Sequence, residues 1–175
     1  MELGAGMTAL AGLVVAAECN PAKIILTDGN EKSVENVAAI LESNPFYCPP
    51  DKVTSRVVKW DQDDLGDLKG CADIVLCSDC LFFDEGRAPL VQCLKRLLRP
   101  GCPEAQVLLI QPRRRGTMKK FIDLIDQDGH FEWKLSEKIT DEIETILQTK
   151  IITNQMYEAD IHQSLLLTLR PKLQP

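Results

Sequence analysis

Met1-Glu2-Leu3-Gly4-Ala5-Gly6-Met7-Thr8-Ala9 reads as the end of a strand, a glycine-rich turn and the start of a helix. Glycine has no Cβ, so such a turn lets backbone N–H groups and a helix N-terminus come close to a nucleotide-like ligand. Glu2, two positions before the first glycine, separates two ligand classes. A carboxylate there repels a pyrophosphate and suits a ligand that carries an ammonium and a sulfonium. Gly4-x-Gly6-x-x-Ala9 also fits the dinucleotide fingerprint of dehydrogenases, and a tight turn with no ligand is a third reading. The strand that should deliver the turn is reduced to its last residues, so the first strand of the sheet is expected to be largely missing.

Downstream, strand and helix patterns alternate. Thr8 to Glu18 reads as a small-residue helix capped by Thr8. Lys23–Thr27 is a short buried strand that ends at Asp28-Gly29-Asn30, and Glu31 to Asn44 has Val34, Val37, Ala38 and Leu41 at helical spacing. Val53–Trp60 is a third strand ending at Asp61. Ala72–Cys77 reads as a central strand, apolar on both faces. Glu85–Arg99 is an amphipathic helix stopped by Pro100-Gly101. Gln106–Gln111 is a fifth strand that leads into the basic turn Pro112–Gly116 and a helix over Thr117–Asp128. Phe131–Leu135 and Ser164–Leu169 close the chain as an antiparallel pair appended to a parallel sheet.

This alternation predicts an α/β doubly wound, mostly parallel, Rossmann-like sheet in one domain over 1–170, with a short tail at 171–175. In such sheets ligands sit at the carboxyl ends of the strands.

Composition narrows the class. The chain has 175 residues, 45% of them hydrophobic, and a net charge of -6. That charge argues against a nucleic-acid binder that works by phosphate neutralisation. No apolar run approaches the roughly 20 residues that span a bilayer, and the first residues do not resemble a signal peptide. Seven cysteines, an odd number scattered among apolar residues, read as reduced thiols and a cytoplasmic chain, with the nucleus as a second compartment. Cys77-Ser78-Asp79-Cys80 is a lone CxxC, read as strand-end cysteines flanking something else; no metal is expected.

The chemically suggestive residues all fall at strand ends. Asp28 stands where an acid receives ribose hydroxyls, and it also reads as a cap for the Asn30–Glu31 turn. Trp60-Asp61 reads either as the lining of an adenine pocket or as a core indole followed by a turn-forming acid. Asp79, with Phe82 and Phe83 shortly after it, suits an incoming ammonium. The alternative is that Asp79 caps the Asp84–Glu85 helix start while the phenylalanines are core. Arg113-Arg114-Arg115 reads either as a solvated face or as a dock for an acidic protein.

Taken in order, Glu2–Gly6, Thr27–Lys32, Trp60-Asp61, Ser78–Phe82 and Pro112–Arg114 resemble the class I, seven-stranded protein-lysine methyltransferases that carry an Asp-x-x-Tyr/Phe motif. Within that group the stretches TDGNEK, DCLF, RLLRP and PRRRG look most like the calmodulin-lysine N-methyltransferases, against which the chain is N-terminally truncated. The resemblance implies that Glu2, Gly4, Gly6, Asp28, Gly29, Asn30, Trp60, Asp61 and Ser78 bind S-adenosylmethionine. It implies that Asp79, Phe82 and Phe83 form the catalytic set facing a target lysine. It also implies that Arg113, Arg114 and Arg115 dock an acidic protein substrate, calmodulin, with the enzyme a monomer. Two other readings are a truncated, non-catalytic member of the family and a nicotinamide-dependent dehydrogenase.

Overall fold

Leucine-rich and β-branched runs bounded by glycine, proline and aspartate become the strands of a single seven-stranded sheet. The computed structural model describes residues 1–153 and 156–172. The tail expected at 171–175 therefore lies outside the described residues from 173 onward. In chain order the strands are β1 (Glu2–Leu3), β2 (Ile24–Asp28), β3 (Val53–Val57), β4 (Ile74–Ser78), β5 (Gln106–Pro112), β6 (Phe131–Ser136) and β7 (Ser164–Pro171). The helices are α1 (Leu10–Glu18), α2 (Glu31–Ser43), α3 (Arg87–Leu97), α4 (Thr117–Asp128), α5 (Asp141–Thr153) and α6 (Ala159–His162).

The strand order is β3-β2-β1-β4-β5-β7-β6. β1 to β5 pair in parallel, and β7 runs antiparallel between β5 and β6. The expected architecture, including the C-terminal antiparallel pair, is therefore observed. β1 has only two residues, yet it bridges its neighbours: Glu2 stands opposite both Leu26 and Leu76. The strand order reverses direction between β1 and β4, and that switch point is where a doubly wound sheet opens a crevice.

The two faces of the sheet are covered unequally. Val75, Cys77, Val107, Leu109, Leu165, Leu167 and Leu169 pack with α3 and α4 in the larger core. On the opposite face a smaller core of Ala9, Ile24, Leu26, Val37, Cys48 and Val53 lies beneath α1 and α2. Side chains alternate along a strand, so Ile74 and Ile110 project from the second face. They are 42% and 37% exposed. β4 is thus not buried on both faces as its composition suggested: Ile74 and Ser78, at its two ends, are exposed.

Local details also depart from the sequence reading. α1 begins after Ala9, which adopts a left-handed φ of 47° with no side-chain cap, so Thr8 is not the cap. α3 begins after Gly86, again without a side-chain cap, which removes the helix-cap role considered for Asp79. Phe82 and Phe83 stand 60% and 62% exposed and are not core. α5 and α6 were not foreseen; none of their residues is buried.

Candidate functional site

The glycine turn leaves β1 and folds over the end of β2. Gly4 and Gly6 both have left-handed backbones, with φ of 71° and 63°. A Cβ on Gly4 would sit 3.0 Å from Cys80 Sγ and 3.1 Å from the Trp60 ring, whereas one on Gly6 would meet nothing within 4 Å. The first glycine therefore allows close packing, and the second keeps the space above the turn open.

Hydrogen bonds from several elements hold the turn in place. The Ala5 amide donates to the Thr27 carbonyl at 2.8 Å. The Gly6 amide donates to Asp28 Oδ2 at 2.8 Å, and the Asn30 amide donates to Asp28 Oδ1 at 2.8 Å. Asn30 itself caps α2, its side chain accepting from the Lys32 amide. From α2, Asn36 Nδ2 donates to the Met7 carbonyl at 2.7 Å. Asp28 thus shapes the turn and still has lone pairs free for ligand hydroxyls.

Glu2 lies beneath the turn. It is buried, and its Oε2 accepts from the Gly12 amide at 2.8 Å, so it supports the start of α1 and does not line the crevice. Burial pushes its carboxyl pKa upward, partly offset by the Gly12 amide and the nearby N-terminal ammonium. Gly12 was not singled out from the sequence. A Cβ there would fall 2.2 Å from Leu26 Cδ2 and 2.7 Å from Glu2 Oε2, so only glycine lets α1 settle on β1 and β2. Its place six residues after Gly6 is the signal that could have revealed it.

Trp60 is half-buried and wedged between Gly4 and Gly86, against the larger core. Its indole thus packs directly against the glycine turn. Gly29, Asn30, Asp61 and Ser78 are exposed at the same end of the sheet. Of the CxxC pair, Cys80 Sγ lies 3.2 Å from the Leu3 carbonyl, and Cys77 is buried in the larger core. Contact with Cys80, together with burial, raises the Cys77 thiol pKa well above its ordinary value.

The loop after β4 is built just as firmly. Asp79 takes a left-handed φ of 55°, and its amide donates to the Ile110 carbonyl at 3.0 Å. The Leu81 amide donates to Gln111 Oε1 at 2.9 Å, and the Leu81 carbonyl accepts from buried Arg87 at 3.1 and 3.2 Å. Gln111 and Arg87, which the sequence reading passed over, therefore fix the loop. They leave the Asp79 side chain half-exposed beside Phe82, which packs edge-to-face on Phe83 at 4.9 Å.

The three arginines take different roles. Arg113 pairs with Glu137 at 2.5 Å, and Arg114 pairs with Asp79 at 2.9 Å while lying over the Phe82 ring. Arg115 makes no ion pair among the described residues; its amide donates to Asp160 Oδ2. Two of the three guanidiniums are therefore engaged by acids of this chain, and the run is not a uniform free patch.

Comparison with known proteins identifies the family and the fold. A family model described as lysine methyltransferase matches residues 1–128. Calmodulin-lysine N-methyltransferase of Arabidopsis thaliana is 32% identical over 129 residues, 74% of this chain and 42% of that protein. The chain thus spans about two-fifths of that relative's length. Among solved structures, a predicted O-methyltransferase from Agrobacterium tumefaciens superposes with a TM-score of 0.68 at 15% identity, covering 99% of this chain and 73% of that one. An S-adenosylmethionine-dependent methyltransferase from Mesorhizobium loti gives 0.64 at 17% identity, covering 97% and 88%. At such identities the two structures speak for the fold alone. The family match, which covers most of the chain, goes further: the chain belongs to the lysine methyltransferase family.

Proposed function

We propose that this chain transfers a methyl group from S-adenosylmethionine to the side-chain amine of a lysine in an acidic protein, calmodulin. One observation carries the reading. A glycine turn tied to Asp28 and a cation-holding pair, Asp79 with Phe82, meet at the same end of the sheet. Family membership and the name of the Arabidopsis relative support the acceptor and set aside a nicotinamide-dependent dehydrogenase.

The residues fit the cofactor. Gly6 leaves open space above the turn, Asp28 offers carboxylate lone pairs to hydroxyls, and Gly29, Asn30, Asp61 and Ser78 are exposed at or just after strand ends. Trp60 packs against Gly4, while Glu2 supports the turn from below.

S-adenosylmethionine, when bound, supplies an electrophilic sulfonium methyl. The chain supplies placement and electrostatics. The half-exposed carboxylate of Asp79 attracts the lysine head group, and the face of Phe82 holds it as a cation. A lysine must lose its proton before it can act as a nucleophile. With an ordinary pKa of about 10.4, that costs about 4–5 kcal/mol at pH 7. Asp79 is open to solvent, so it orients the nitrogen while the proton passes to water.

The test combines calorimetry with S-adenosylhomocysteine and transfer of tritiated methyl groups to calmodulin. Saturable binding and label on a calmodulin lysine are expected. Failure to bind, or binding without transfer to any protein lysine, overturns the reading.

A further inference from the structure

The place that should receive a lysine is already filled by a cation of this chain. Arg114 donates from its guanidinium to Asp79 Oδ2 at 2.9 Å, and its Cζ stands 5.8 Å from the centroid of the Phe82 ring. Carboxylate and aromatic face are the two features that recognise an alkylammonium.

The backbone is bent to make this contact. Asp79 has φ 55°, and Arg114, Arg115 and Gly116 follow one another in left-handed geometry at 45°, 55° and 85°. Such backbones in residues other than glycine are held only when their surroundings enforce them. Here the Arg114 amide donates to the Asp160 carbonyl at 2.8 Å, the Arg115 amide to Asp160 Oδ2 at 2.7 Å, and the Thr117 amide to the Arg114 carbonyl at 3.2 Å. Arg114 is thus aimed at Asp79 by its own loop and by α6. Its side chain is 31% exposed and that of Asp79 49%, which makes the pair weak enough to be exchanged.

Resting on the methyltransferase reading above, we propose that Arg114 is a specificity-determining residue: its guanidinium occupies the lysine subsite between Asp79 and Phe82, and a substrate lysine must displace it. Displacement leaves a guanidinium in need of an anion. A substrate with Asp or Glu beside its target lysine supplies one, so Arg114 favours lysines flanked by acids. No atom is transferred in this exchange; one cation replaces another on the Asp79 carboxylate.

The test titrates n-butylammonium into the isotope-labelled chain while NMR follows the Asp79 carboxyl and Phe82 ring signals. Arg114→Asn removes the cation but suits a left-handed backbone, and the backbone hydrogen bonds to Asp160 do not depend on the side chain. It should bind the amine about fivefold more tightly than the natural chain, equivalent to about 1 kcal/mol. Arg114→Lys keeps a cation and should stay near the natural value.

In transfer assays Arg114→Asn should lower KM for a lysine peptide with neutral flanks. The natural chain's preference for acid-flanked peptides should disappear. Equal or weaker amine binding by Arg114→Asn overturns the proposal. So does a fall in kcat with unchanged amine affinity, which would make Arg114 a positioning residue for Asp79. Amine binding that moves the Asp79 signals, in a chain that transfers no methyl, would overturn the methyltransferase reading and leave the exchange of cations standing.

Discussion

Asp28 Oδ2 accepts the Gly6 amide at 2.8 Å across 22 residues of sequence, so the end of β2 and the glycine turn form one unit. The same carboxylate accepts from Asn30, which caps α2. Replacing Asp28 by alanine should weaken S-adenosylhomocysteine binding at least about tenfold and cost about 1.5–3 kcal/mol of stability, the range for hydrogen bonds to a charged group. Calorimetry and urea unfolding on one preparation check both numbers. Unchanged affinity would remove Asp28 from the ligand site.

Asp79 should separate from Asp28 in the same assays. The Asp79 side chain faces Arg114 and Phe82, and only its amide is tied to β5. Asp79→Ala is expected to leave S-adenosylhomocysteine affinity within about twofold, under the 1.4 kcal/mol that a tenfold change represents. Methyl transfer should be abolished.

Glu2 gives a pH signature. Its pKa is raised in the folded chain above the ordinary 4.5, chiefly by burial. The folded state therefore binds more protons than the unfolded state from about 4.5 up to the folded value, and stability contributed below that window is lost as pH rises through it. Relative to Glu2→Gln, the natural chain should lose ground as pH rises above about 4.5. Urea unfolding of both proteins at several pH values measures the difference, and a constant gap would show that Glu2 ionises normally.

At Gly12 the prediction is steric. An alanine Cβ would overlap Leu26 and the Glu2 carboxylate, forcing α1 away from β1 and β2. The expected cost is about 1–3 kcal/mol, as for overpacking elsewhere. Because α1 follows directly on the turn, S-adenosylhomocysteine affinity should fall as well. Gly12 lies within α1 and is not left-handed, so the cost of the alanine is steric and not backbone strain.

The unequal sheet faces can be measured directly. Leu109 is fully buried and Ile110, its neighbour on β5, is 37% exposed. Leu109→Ala should cost about 2–5 kcal/mol, whereas Ile110→Ala should cost about 1 kcal/mol. Equal losses would mean that the second face is covered after all.

Much of this was legible because each strand ends in residues that announce it. Ile24–Asp28 and Gln106–Pro112 carry their turn chemistry with them, so the mostly parallel sheet and the place of the candidate residues at strand ends followed from alternation, while their roles came from the family resemblance. What escaped depends on tertiary contact. α5 buries none of its residues, so it has no core-facing stripe to read. Gly12 matters only because Leu26 and Glu2 lie under it. The Asp79–Arg114 pair joins residues 35 apart through two left-handed loops, which no local pattern encodes.

The two cores of unequal size bear on cooperativity. Ala5 and Ala9 of the glycine turn pack with the small core, while Cys80 and Leu81 of the Asp79 loop belong to the large one. A ligand that spans the turn and that loop joins two layers which otherwise meet mainly through the sheet. Its binding energy is then felt first by α1 and α2, the layer with less apolar burial and hence the lower barrier to local opening. Amide exchange in α1 and α2 therefore reports occupancy of the crevice more sensitively than exchange in α3 and α4.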